Sequence, residues 1–268
     1  QSLFNLSHYD RYRIINTRRI GAASEYDCPS LVKKEACEES SKNYTDIDYA
    51  LRYTQKRNDT DIGIFIAQED DELYSKGKSF YAFRTKKKIG TKTFGYFLTN
   101  VKNNLSDKNA IVNVFDYSNI KSDKLTIYND LLTSKKDSQS GYGFRSQFVY
   151  QLTGYKRRSG SIVYFDDSFE LDDFGYLKKN DWFHFGIGQD ITKVNFSEDS
   201  NIEERRIGID FNYDSDTSGN SNPFNIRQEF NFAYKNTSSF QMSWDLKTSG
   251  KDTTITRKNT EYPYIKNK

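Results

Sequence analysis

The chain has 268 residues and sets Lys+Arg 40 against Asp+Glu 37, a formal charge of +3 that carries no electrostatic footprint for nucleic acid. Only 35% of residues are hydrophobic and mean hydropathy is −0.87, yet Tyr 20 and Phe 20 are far too many aromatics for a disordered polymer. No run approaches the roughly 18 apolar residues of a membrane helix, which excludes a helical membrane protein but not a transmembrane β-barrel, whose strands are polar on average.

In chain order, period-2 alternation dominates and helical spacing is nearly absent. Strands of modest regularity are expected near residues 9–20, 49–58, 61–69, 78–87, 91–101, 110–118 and 124–133. The pattern then sharpens, with Tyr142, Phe144, Phe148 and Tyr150 opposing Gly143, Arg145 and Gln147. After a weaker strand at 159–167, Phe183, Phe185 and Ile187 oppose His184, Gly186 and Gly188. Ile207, Ile209, Phe211 and Tyr213 oppose Gly208, Asp210, Asn212 and Asp214. From Phe224, the row Ile226, Gln228, Phe230, Phe232, Tyr234 backs onto Asn225, Arg227, Glu229, Asn231, Ala233, Lys235. Phe240, Met242, Trp244 and Leu246 then oppose Gln241, Ser243, Asp245 and Lys247, and a last short strand is expected at 253–257. A strand turns successive side chains to opposite faces, so each segment is two-faced. The expectation is an all-β protein of about 14 strands, several of them long enough for the roughly 9–11 residues that cross a bilayer at a tilt.

The connections carry a second regularity. Short turns are expected at 58–61, 88–91, 154–160 and 236–238, and longer polar loops at 70–77, 103–109, 134–140, 166–180 and 214–222. Such alternation fits an up-and-down antiparallel transmembrane barrel with one end toward the periplasm and the other toward the exterior. The stretch 192–203 is long where that rule asks for a short turn. No linker or composition shift divides the chain, so one domain is expected over 1–268, with a long loop at 22–46. A soluble β-sandwich has the same alternation and is the alternative architecture.

Few residues invite chemistry. Cys28 and Cys37 lie close together in one polar stretch, where a disulfide is expected; free thiols and, least of all, a metal site are the alternatives. His8 and His184 are the only histidines. His184 would suit a general base, but no Gly-x-Ser-x-Gly context accompanies it, and a hydrogen-bonded structural histidine is preferred. A Ser or Asp beside it would mark a barrel hydrolase. The run from Asp214 to Gly219 imitates the start of a calcium loop, but its twelfth position is Asn225, which favours an exposed turn. Asp166, Asp167, Asp172 and Asp173 are read as solvated loop acids, and no metal, cofactor or catalytic residue is expected.

The polar strand faces are the stronger lead. Arg52, Arg84, Arg145, Asp210, Arg227, Glu229, Asp245 and Lys247 are expected to line a lumen and, being of mixed sign, to pair with one another. Phe144, Phe148, Phe230, Phe232, Trp244 and Leu246 are expected to face lipid. Tyr142, Tyr150, Tyr213 and Tyr234 suit an interfacial girdle, and Lys86, Lys87 and Lys88 a solvated periplasmic turn.

Several segments carry a resemblance across nearly the whole chain. They are Thr17-Arg18-Arg19-Ile20-Gly21, Tyr49-Ala50-Leu51-Arg52-Tyr53, Ile62-Gly63-Ile64-Phe65 and Phe80-Tyr81-Ala82-Phe83-Arg84. Leu171-Asp172-Asp173-Phe174-Gly175-Tyr176-Leu177-Lys178-Lys179-Asn180-Asp181 and Asp252-Thr253-Thr254-Ile255-Thr256-Arg257 follow. In order and spacing these resemble a Gram-negative outer-membrane family of unknown function, in which a carbohydrate-binding-like module of the family 9 type precedes a C-terminal β-barrel. The resemblance implies a stretch of that barrel, part of a larger one and incomplete at both ends, since Lys266-Asn267-Lys268 lacks the terminal aromatic of such barrels. It implies residence in the outer membrane, in contact with lipid or lipopolysaccharide. The expected role is that of a non-enzymatic pore, plugged channel or scaffold for other outer-membrane or periplasmic proteins. A secreted sandwich binding glycans, or less readily a barrel hydrolase, is the alternative.

Overall fold

Alternation becomes pairing in the fold, which is all-β and antiparallel, with one 3-10 turn among the described residues. The computed structural model describes residues 3–8, 11–23, 27–28, 30, 44–71, 74–106, 108–122, 124–252 and 262–263. Two short strands, β1 (Ser7–His8) and β2 (Tyr12–Arg13), precede the turn at Thr17–Arg19. Then come β3 (Ile47–Arg57), β4 (Thr60–Glu69), β5 (Lys78–Ile89), β6 (Lys92–Asn103), β7 (Lys108–Ser122) and β8 (Leu125–Lys136). They continue as β9 (Gln139–Thr153), β10 (Lys156–Phe165), β11 (Tyr176–Leu177), β12 (Trp182–Lys193) and β13 (Ile202–Ser215). The series ends with β14 (Asn225–Tyr234), β15 (Ser239–Lys247), β16 (Lys251–Asp252) and β17 (Tyr262–Pro263). The long strands form one 12-stranded sheet in the order β15-β14-β13-β12-β10-β9-β8-β7-β6-β5-β4-β3, each beside its predecessor in the chain but for β11. The sheet is open, with β3 and β15 as its edges.

Three expectations need correction. Of the strand expected at 9–20, only the two residues of β2 pair as strand among the described residues: Tyr12 and Ile14 are each 1% exposed, and Asn16 caps the 3-10 turn by accepting from the Arg18 N–H at 3.4 Å. The expected loop 134–140 is only the turn 137–138, with Asp137 at φ 54, because β8 and β9 extend through polar residues that resemble a loop. The loop 166–180 contains β11, which joins β1 and β2 in a 3-stranded sheet. The long connection flagged at 192–203 is present as 194–201, and the terminal strand expected at 253–257 lies outside the described residues.

The chain gathers into two compact units, Gln1–Tyr117 with Leu131–Gly143 and Ser168–Asn180, and Ser118–Asp130 with Phe144–Asp167 and Asp181–Lys268. Three of their five boundaries fall inside β7, β8 and β9, where no linker or change of composition could announce them, and the other two flank 168–180 in the connection between β10 and β12.

In the first unit one sheet face is buried through Ala67, Phe80, Ala82, Phe97, Val101, Val112 and Val114. Its cover comes from two separate stretches. Phe4 meets Phe97 at 6.0 Å, and Phe174 meets Phe80 at 5.1 Å and Phe65 at 5.9 Å. Each fully buried Phe contributes about 1.5–3 kcal/mol relative to leaving it in water. The two stretches are tied together where Arg19 reaches Asp172 at 3.2 Å and the Lys178 N–H donates to the Arg11 carbonyl at 2.8 Å. Gly141 on β9 lets the second stretch approach: a Cβ there would stand 2.3 Å from the Phe169 amide nitrogen. Gly141→Val is therefore expected to lift residues 168–177 off the sheet and destabilise the unit by about 1–3 kcal/mol. Hydrogen exchange would report it as lost protection at 168–177 with β5 and β6 unchanged; unchanged protection at 168–177 would contradict this account of the cover.

The opposite face of that unit is apolar and open, with Ile64 at 40%, Phe94 at 46% and Phe115 at 57% exposure. In the second unit, Val163, Phe165, Trp182 and His184 are buried on one face, while Ile162, Phe185 and Ile187 on the other are about as exposed as Ile64. The expected β14–β15 hairpin forms through 235–238, pairing Arg227 with Asp245 and Phe232 with Phe240.

Candidate functional site

Register fixes which side chains share a face. In the first unit Arg52 pairs with Phe65 and Arg84 with Gly63, so both arginines lie on the covered face. The Arg52 guanidinium sits 5.5 Å over the Phe4 ring. Arg84 is fully buried and grips Asp116 with both terminal nitrogens, at 2.5 and 2.9 Å, while its guanidinium lies 5.2 Å over the Phe97 ring. A two-pronged contact of this kind holds a buried charge because both carboxylate oxygens are satisfied in one geometry. Gly95 on β6 makes the room, since a Cβ there would come 2.2 Å from an Asp116 oxygen.

In the second unit Arg145 reaches Asp130 at 2.7 Å, with side-chain exposures of 8% and 2%. Asp190 lies between Arg157 at 2.7 Å and Arg206 at 2.9 Å, and Arg227 pairs with Glu229 at 2.9 Å. Across the strands, Asp210, Arg227 and Asp245 form one row, and Asn225 with Lys247 the next. Signs alternate along the Asp210–Arg227–Asp245 row, but Asp245 and Lys247 are exposed, and the partly buried Asp210 also lies near the like-charged Asp190 and Glu229 carboxylates. Phe230, Phe232, Trp244 and Leu246 fall on the opposite face from Arg227, Glu229, Asp245 and Lys247. Phe144 and Phe148 likewise oppose Arg145, and Phe148, Trp244 and Leu246 are exposed.

His184 is 2% exposed, and its Nδ1 lies 2.9 Å from Asp214 Oδ1, the oxygen to which the Trp182 indole N–H donates at 2.7 Å. The carboxylate expected beside a catalytic histidine is thus present, but its position orients the ring. Among the described residues no Ser or Thr hydroxyl or Cys thiol hydrogen-bonds the imidazole. Of the run 214–219, expected as an exposed turn, Asp214 belongs to β13 and serves Trp182 and His184, while Asp216 closes a turn by accepting from the Asn220 N–H at 2.7 Å. Among the loop acids, Asp172 pairs with Arg19 and Asp173 with Lys136 at 3.0 Å while each keeps about a third of its side chain exposed, and Asp167 is exposed. Among the described residues no group of three or more His, Cys, Asp or Glu could hold a metal ion. Cys37 lies outside the described residues, and so does the expected Cys28–Cys37 bridge; the side chain of His8 is also outside them.

The partners Asp116, Asp130, Asp190, Arg157 and Arg206 were missed from sequence. A signal did exist, since Asp116 continues the period-2 row of Val112 and Val114, and Asp130 that of Leu132. Family models, curated proteins and solved structures provide no match to this chain.

Proposed function

We propose that the chain forms wall and plug of an outer-membrane β-barrel in a Gram-negative cell, a non-catalytic plugged channel or scaffold rather than an open pore. The carrying observation is the exposed apolar face on strands of 9 to 15 residues, backed by a face of paired charges. Water penalises the first face and lipid penalises the second, and a barrel wall satisfies both at once. The plugged form rests on the first unit, where residues near Phe4 and Phe174 fill the charged face. A glycan-binding sandwich would bury its aromatic rows against a second sheet, whereas the twelve long strands here belong to one. A hydrolase would need a nucleophile beside His184. The Cys28–Cys37 staple belongs to the same proposal, because an oxidising compartment favours it.

The purified chain is expected to require detergent or lipid, and its folded form to migrate faster than the boiled form on a gel. A monodisperse, folded protein in plain buffer would overturn the membrane reading.

A further inference from the structure

The exposed apolar face has a basic rim at the short-turn end of the strands. In the first unit Arg57 pairs with Thr60, Thr60 with Lys87, and Lys87 with Phe94, so these four share the face of Ile62, Ile64 and Phe94. Arg57 and Lys87 are exposed, and neither forms an ion pair among the described residues. Together with Gln55, Thr60, Ile62 and the turn residue Asp59 they line an open cleft of about 390 Å³. The second unit repeats the chemistry. Lys121 lines a cleft of about 510 Å³ with Leu125, Phe148 and Tyr150, whose two rings belong to its apolar face. Lys193 and Arg205, a cross-strand pair, flank the Phe196 ring at 4.7 and 5.9 Å.

We infer that the Arg57–Lys87 cleft binds the phosphodiester of an anionic glycerophospholipid whose acyl chains lie along Ile62, Ile64 and Phe94. The inference rests on the membrane reading proposed above and deepens it. Two long, flexible cations flanking the intervening strand β4 can converge on one phosphate above Thr60, and an adjoining apolar row suits the acyl chains. A free phosphate would use only the cations and leave that row exposed. In the proposed orientation short turns face the periplasm, so the occupant comes from the phospholipid leaflet rather than from lipopolysaccharide.

The test is native mass spectrometry of the full chain folded in micelles doped with equal phosphatidylglycerol and phosphatidylcholine. The wild type is expected to retain phosphatidylglycerol preferentially. At about a fivefold effect for each cation, the double variant R57Q/K87Q should lose roughly twenty-five-fold of that preference, whereas R57K/K87R keeps most of it. Equal retention of the two lipids by the wild type, or an unchanged preference in R57Q/K87Q, would overturn the inference. So would stronger retention of added lipid A, or displacement of the lipid by millimolar inorganic phosphate. Folding without detergent, read before any lipid is added, would instead overturn the membrane reading and this inference with it.

Discussion

Ile187→Arg is expected to destabilise the folded protein in lipid by about 2–4 kcal/mol, the cost of a cation on the lipid face near mid-membrane. Ile187 lies in the middle of β12 and is 44% exposed, with Phe211 opposite it on β13. In a soluble sheet an exposed Ile replaced by Arg loses little, within about 0.5 kcal/mol, because the guanidinium stays hydrated. The same substitution therefore separates two environments by several kcal/mol. Phe115→Arg, at 57% exposure in the middle of β7, should behave alike. Reversible denaturant titration in lipid vesicles reads both values. Losses below about 0.5 kcal/mol at both positions would place this face in water and return the choice to a soluble sheet.

Arg84→Ala is expected to cost about 3–5 kcal/mol, since it leaves the Asp116 carboxylate beside Gly95 without its counter-charge. The side chains of Arg84 and Asp116 are 0% and 14% exposed, so little water can replace the lost partner. The double variant R84M/D116L should recover most of that loss, because removing both charges removes the desolvation penalty along with the attraction. A cycle through R84A, D116A and R84A/D116A, followed by unfolding in the same lipid, measures the coupling. A loss under about 1 kcal/mol for R84A would mean that the pair is solvated, as surface ion pairs are. The two predictions are independent: one probes what lies outside the sheet, the other what holds its covered face.

The β14–β15 hairpin was legible because its two rows differ at every position, and a slip of one residue would exchange all aromatics for all charges. Its register, Arg227 with Asp245 and Phe230 with Met242, follows from that contrast. The stretch 9–20, which keeps only the two-residue strand β2, was largely misread for the opposite reason. Tyr12 and Ile14 alternate like a strand, but their burial comes from packing beneath distant residues, as when Asn16 donates its N–H to the Phe174 carbonyl at 2.7 Å. Sequence spacing holds no record of a partner so far away in the chain.

By itself the sequence determined the strands, their two faces and the meander of hairpins, because side-chain period and turn chemistry are local properties. Only tertiary structure decided that Arg84 takes Asp116, that Arg145 takes Asp130, and that His184 is oriented by Asp214. It also decided that residues near Phe4 and Phe174 cover the charged face of the first unit. Those choices depend on which strands become neighbours and on where glycines such as Gly95 leave space, and both are set by contacts between residues far apart in sequence.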